Sequence, residues 1–399
     1  MNALSNNFLN IERLNFENEL ENFIIRAYFI LLSFTALMSV FDQIPLFSGS
    51  FTSLANVGIF PAFKFIKDLM VVILFFSLLP LYLYRANSKS VIGFLALFVF
   101  ILISAIYTVI QNREIYVLAG FRWILPVAII YLLSVVDVKK IEKPIVMLMV
   151  YLLIVNFSTQ IYQLIFMPHW FGTTDFGMSK RVMGIFMAPN TSAFFSCGVL
   201  AYALYKKEEL GKINLLIVAL VSILSISLTK SGTGILSLMI LLTILFFPIR
   251  YMLLGFAFLA ITLPLVIFNL DTILNRENYL ALSGVGRLRI MYDAFQNIGF
   301  ISNEFGYHTN TTNLLYTMLE PGKIFEANDS IVASIQGNLG YIGTSIYAAS
   351  VIVFFTQAVY EKNKGKLSIL AVLVIFGMTT VSFEVFPMIY MLPLLFRLS

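Results

Sequence analysis

Apolar runs of about the length needed to cross a bilayer recur along almost the whole chain, with only short polar breaks between them. A membrane-spanning helix needs about 20 apolar residues. Twelve stretches approach that pattern: Phe23 to Phe41, Phe65 to Tyr84, Val91 to Ile110, Tyr116 to Val136, Ile145 to Phe166, Val182 to Tyr205, Ile213 to Leu228, Gly234 to Phe247, Tyr251 to Phe268, Ile331 to Phe355, Leu367 to Phe383 and Pro387 to Phe396. The eighth and twelfth are short, so eleven to thirteen spans is the fair range. Charged residues make up only 12% of the chain, about half the share of a soluble domain, too few to cover it with polar surface. The expectation is an all-α polytopic integral membrane protein, with residues 1–22 as a polar N-terminal extension and residues 23–399 as one transmembrane domain. The extension carries Glu12, Glu17, Glu19 and Glu21 and lacks the basic start and short apolar core of a cleaved signal peptide. Phe8, Ile11, Leu14 and Phe16 would suit a surface helix, but the acidic face argues against anionic lipid. The single cysteine, Cys197, excludes a disulfide framework, and with two histidines it cannot build a His/Cys metal cage.

Loop charge orients the spans. Arg85 and Lys89, then Lys139, Lys140 and Lys143, then Lys206, Lys207 and Lys212, then Arg250, then Lys362, Lys364 and Lys366 fall in alternate loops. Cytoplasmic loops carry such an excess of Lys and Arg, which puts both termini in the cytoplasm. The long loop 269–330 then lies outside, as do Lys64, Arg113, Lys180, Arg181, Lys230, Arg276, Arg287, Arg289 and Lys323, while Arg122 lies within a span. Topology does not explain these outward cations. Cations at such positions mark an anionic ligand, against the plainer reading that some reach to lipid headgroups. Nucleic acid is not among the expected partners.

Polar residues in and near the outer loop supply candidate chemistry. "SGVGRLRIMYDAF" (283–295) has helical spacing, so Arg287 and Arg289 point roughly 200° apart and do not share a site. Arg289 has Asp293 four residues on, a surface pair. Arg287 follows Gly284 and Gly286, which allow close backbone approach, and is preferred as the functional one. His308 sits in "FGYHTNTTNLL", where a surface role competes with that of a base. Asp329 stands where the chain re-enters the membrane, where capping a helix competes with catalysis. Glu384 lies near the end of an outward span and wants a cationic partner. "TKSGTGILSL" (229–238) is a Gly/Ser turn between two short spans whose small residues suit tight packing. Pro189-Asn190 reads as a kink about two turns below Arg181.

Several segments in order resemble the O-antigen polymerase and O-antigen ligase family. "RVMGIFMAPNTSAFF" (181–195) is similar to its R-x-x-G-x-F-x-x-P-N pattern, and "SGVGRLRIMYDAF" to its S-G-x-x-R segment. "NDSIVASIQGNLGYIG" (328–343) is similar to its re-entry segment, and "TKSGTGILSL" to its Ser-rich turn. The resemblance covers roughly Ser179 to Phe396; the N-terminal half agrees in hydropathy alone. It implies a GT-C-type membrane glycosyltransferase with one large periplasmic loop in a bacterial inner membrane. The donor and acceptor would be glycans on undecaprenyl diphosphate. No metal and no cofactor are implied, and a chain-length regulator is an admissible partner. Arg181 and Arg287 match the family's diphosphate-gripping arginines, with Arg122 and Lys230 as further cations and Asn190 and Arg289 in secondary roles. Asp329 stands at the position of the ligases' histidine, which tilts the expectation from ligase to polymerase. Asp329 is thus the first candidate for the base, with His308 and Glu384 behind it. A transporter of lipid-linked anions is the rival from another class, but it predicts repeated spans, which the chain lacks.

Overall fold

The computed structural model describes residues 2–41, 61–111, 113–166, 181–186, 188–206, 212–248, 294–295, 298–309, 312, 330–380 and 384–391. Among the described residues all regular structure is helical. The α-helices are α1 (Asn2–Phe41), α2 (Pro61–Arg85), α3 (Ser88–Ile110), α4 (Glu114–Leu132), α5 (Glu142–Phe166), α6 (Pro189–Tyr205), α7 (Lys212–Thr229), α8 (Gly232–Phe246), α9 (Ile331–Tyr360) and α10 (Lys364–Gly377). Six stretches are long and apolar enough to cross a bilayer: Glu17–Phe41, Phe65–Arg85, Ser88–Ile110, Glu114–Val135, Val138–Phe166 and Ile331–Tyr360. Asn214–Thr229 and Gly232–Phe246 are shorter apolar helices. The chain is therefore an all-helical, multi-pass membrane protein. The expected ninth span lies outside the described residues, as does half of the twelfth.

The structure refines two expectations and corrects a third. Residues 2–22 are helical and run without a break into the first span, so the extension is part of α1. Its Glu21 is buried and held by Arg85 Nη1 at 2.5 Å and Lys140 Nζ at 3.3 Å. The pairing offsets the cost of burying the carboxylate. The sixth span does not start at Val182. Residues 181–186 are non-helical and α6 begins at Pro189, the first helical position, with Ala188 extended at φ −145° and ψ 144°. Proline is pre-set for that first position and disfavours helix in the residue before it, so Pro189 starts a helix rather than kinking one. The tenth span is not a simple rod. At Gly340 the backbone leaves the helix (φ 74°, ψ −167°). The amides of Tyr341 and Ile342 turn instead to the carbonyls of Gly299 and Phe300, both at 3.2 Å. A side chain at Gly340 would strike those same two carbonyl oxygens, which is why glycine stands there.

Contacts divide the bundle into two ends. At one, Arg85, Lys140 and Glu21 meet, Glu142 takes Tyr202 (2.6 Å) and Lys206 (3.0 Å), and Lys364 reaches the carbonyl of Leu245 (2.9 Å). We call this the lysine end. The opposite end gathers the α3–α4 turn, the start of α6, the α7–α8 turn, the start of α9 and the end of α10. Here α6 is buried nearly all round and packs against α5, α7, α8 and α10. Gly234 lets α8 close on Ala193 of α6, as the small residues of that turn suggested. The first half of α9, Ile331 to Leu339, is buried and carries Ser334, Gln336 and Asn338, whereas much of the second half exposes apolar surface to lipid.

The start of α9 is capped by Ser330, whose Oγ accepts from Val332 N at 3.2 Å. Asp329, for which capping competed with catalysis, lies outside the described residues. Ser330→Ala is expected to cost about 1 kcal/mol, the usual loss of a side-chain cap. Thermal unfolding of the detergent-purified protein reads this as a lowered midpoint.

Candidate functional site

A polar face on α5 organises the site end. Asn156, Gln160 and Gln163 are spaced by four and three residues, so they share one side of the helix. All three are fully buried. Gln163 Oε1 accepts from the backbone of Met183 (3.1 Å) and Gly184 (2.9 Å), while its Nε2 donates to Gly184 O at 2.9 Å. Asn156 Oδ1 accepts from Ile185 N at 3.0 Å, and its Nδ2 donates to Ser192 Oγ and Ser225 Oγ. Gln160 Nε2 also donates to Ser192 Oγ, at 2.9 Å. Segment 181–186 thus finds its backbone partners in side chains rather than in a helix ladder, as buried amides must find them somewhere. Gly184, at φ 65°, sits so close to Asn156 that any side chain would collide with it.

This mooring brings three expected residues together. Arg181 Nε donates to Thr229 O at 3.2 Å, at the last residue of α7. Lys230 follows directly, exposed and in the left-handed region at φ 48°. Ser231 caps α8 through Gly234 N (3.1 Å) and donates to Asn190 Oδ1 at 2.7 Å. Arg181, Lys230 and Asn190 therefore converge on one turn, with two positive charges between them.

A second group forms on the segment leading to α9. His308 Nε2 lies 2.6 Å from Glu304 Oε2, and Arg113 Nη1 lies 2.7 Å from Glu304 Oε1. Arg113 also stacks over Tyr307, 5.1 Å from the ring centre. The main chain is fixed around this trio. Asn338 Oδ1 accepts from the amides of Gly306 (2.8 Å) and His308 (3.1 Å), and Ser334 Oγ donates to His308 O at 2.6 Å. Gly306 adopts φ +88° because its α-carbon faces the Tyr116 carbonyl, where no side chain fits. Gly337 likewise leaves room on α9 for the imidazole.

The hydrogen bond from His308 and then that from Arg113 hold the Glu304 carboxyl down at about 2, against the opposing effect of burial. A depressed carboxylate stabilises the fold fully above its ordinary value of 4.5 and loses that contribution as pH falls towards 2. The melting difference between wild type and Glu304→Gln is therefore expected to shrink as pH falls below 4.5.

A third group neutralises itself. Lys67, only 3% exposed, pairs with Asp68 Oδ1 at 3.0 Å and lies 3.7 Å from the Phe386 ring centre. Arg122 Nε pairs with Asp68 Oδ2 at 3.0 Å, and Glu384 acts electrostatically on Lys67. Glu384 thus has the buried lysine of α2 in its cationic surroundings. Arg122, expected as a phosphate ligand, is engaged by a carboxylate, as is Arg113.

Asp329, Arg287 and Arg289 lie outside the described residues. Sequence reading passed over Asn156, Gln160, Gln163, Glu304, Lys67 and Asp68. The α5 face carried a signal, since three amides at helical spacing in an apolar run have to be bonded to something. Glu304 stood four residues before His308, the spacing of neighbours on one helical turn. Comparison with family models, with curated proteins and with solved structures returned no significant match.

Proposed function

We propose that this chain is a membrane glycosyltransferase that polymerises undecaprenyl-diphosphate-linked oligosaccharide repeat units into O-antigen or a related surface polysaccharide. The reading places about twelve spans of GT-C type in a bacterial inner membrane, with the lysine end and both termini in the cytoplasm and the site end in the periplasm. The observation that carries it is the convergence of Arg181 and Lys230 beside Asn190 on one turn at the site end. Two cations on a rigid backbone suit a diphosphate whose negative charge grows as the anomeric C–O bond breaks. Arg287 joins them in this reading. The acceptor hydroxyl loses its proton to a carboxylate or imidazole as its oxygen bonds the anomeric carbon, and the undecaprenyl diphosphate leaves as an anion.

The test is the purified full-length protein in lipid with a synthetic undecaprenyl-diphosphate repeat unit, read by gel for chain length. A ladder is the expected product. Transfer of glycan only onto added lipid A core identifies a ligase. The break of α9 at Gly340 favours a second reading, a transporter of lipid-linked anions, since half-helices meeting near a buried site serve such proteins. Movement of a labelled lipid-linked glycan across proteoliposomes, with no new glycosidic bond, would establish that reading instead.

A further inference from the structure

We propose that Glu304, anchored by Arg113, is a positioning residue that orients His308 as the base for the acceptor hydroxyl. This rests on the polymerase reading. It selects among its bases and adds two residues that the family resemblance does not supply.

Three observations bear on it. Glu304 is shared between two donors, with one oxygen on Arg113 (2.7 Å) and the other on His308 Nε2 (2.6 Å). A carboxylate held by a permanent cation accepts, so the proton of neutral His308 belongs on Nε2 and the basic atom is Nδ1. The imidazole is also pinned from behind: α9 offers Gly337 under the ring, and Asn338 and Ser334 hold its backbone. A mere surface histidine needs none of this. Finally, His308 keeps 17% of its side-chain surface open and stands against the buried polar half of α9, at Ser334, Gly337 and Asn338. Of the other bases considered, Glu384 sits in the field of a buried lysine.

In the reaction the acceptor O–H proton passes to His308 Nδ1 while the acceptor oxygen bonds the anomeric carbon. The C–O bond to the diphosphate breaks, and its electron pair leaves with the diphosphate. The imidazolium so formed is stabilised by Glu304 across the Nε2–H bond and returns its proton to water before the next cycle.

The chain has two histidines, so His169→Gln leaves a single imidazole to observe. In that background, nitrogen-15 spectra of the full-length protein are expected to show neutral His308 protonated on Nε2. A proton on Nδ1 overturns the proposal. With the synthetic lipid-linked repeat unit, Glu304→Gln is expected to lower kcat on the order of 10²-fold with KM little changed, and His308→Gln at least as much. Glu304→Asp keeps the charge and should restore part of the rate. An unchanged kcat, or a change confined to KM, reduces Glu304 to a structural clamp and overturns the proposal. Absence of polymer from the wild type, or normal polymer from Arg181→Ala, would instead bring down the polymerase reading and the catalytic role with it. The spectra would then still decide whether Glu304 sets the tautomer.

Discussion

Arg181→Ala is expected to lower polymer formation about 10³-fold or more, while the protein still reaches the membrane and melts close to wild type. The size follows from the proposed role. A preorganised donor aimed at charge that develops only in the transition state is worth about 10²–10³ in rate when removed alone, and a permanently charged one at a diphosphate is worth at least the upper figure. The intact fold follows from the mooring. Segment 181–186 is held by Gln163 and Asn156 through its backbone, so deletion of the Arg181 side chain, with its bond to Thr229 O, leaves those backbone bonds in place. Arg181→Lys should also be impaired, because an ammonium cannot reproduce the planar fork of a guanidinium. The comparison is made on lipid-embedded protein at matched amounts, with chain length read on gels. Near-normal polymer from Arg181→Ala would sink the diphosphate clamp.

Gln163→Leu should damage both stability and activity from a position that touches no substrate. The amide holds Met183 N, Gly184 N and Gly184 O, all in a fully buried setting. Leucine has similar bulk but leaves those three groups without their partner. Each orphaned buried group costs about 1–3 kcal/mol, so the loss is about 3 kcal/mol or more even after the gain in apolar contact. The strap that carries Arg181 then loses its register two residues away. The expected result is a clearly lowered melting midpoint and weak polymer with Arg181 itself intact. Gln163→Glu keeps the acceptor for the two amides and should be milder in melting, with the carbonyl of Gly184 left unserved. A Gln163→Leu protein that melts within a degree of wild type would show that segment 181–186 is held by something else.

The opening turn of α6 shows what could and could not be read along the chain. The unusual content of 181–195, with a cation, a glycine and a Pro-Asn pair in an apolar run, marked the segment as more than a span. Hydropathy alone extended the span through Val182–Phe186, because those residues are as apolar as a helix would need. Their burial is real, but its cause is the polar face of α5, some twenty to thirty residues upstream, which no local window weighs against the run. Pro189 held the local clue in its preference for a first helical turn. The same limit applies to α9, where Gly340 reads as one more small residue until the carbonyls of Gly299 and Phe300 are beside it.

The amino-acid order by itself determined the solvent and the helical class, and it set the expected orientation. With no water in the bilayer core, a long apolar run must satisfy its own backbone, and helices do so within one segment. Lysine and arginine counts in alternate loops are likewise local sums. The partner of each polar group was decided only in three dimensions. Arg122 and Lys67 share Asp68, Arg113 and His308 share Glu304, and Arg181 is set beside Lys230 by the carbonyl of Thr229. A buried charge or amide selects whichever complementary atom the packed helices bring within about 3 Å, and that distance is a property of the assembled bundle.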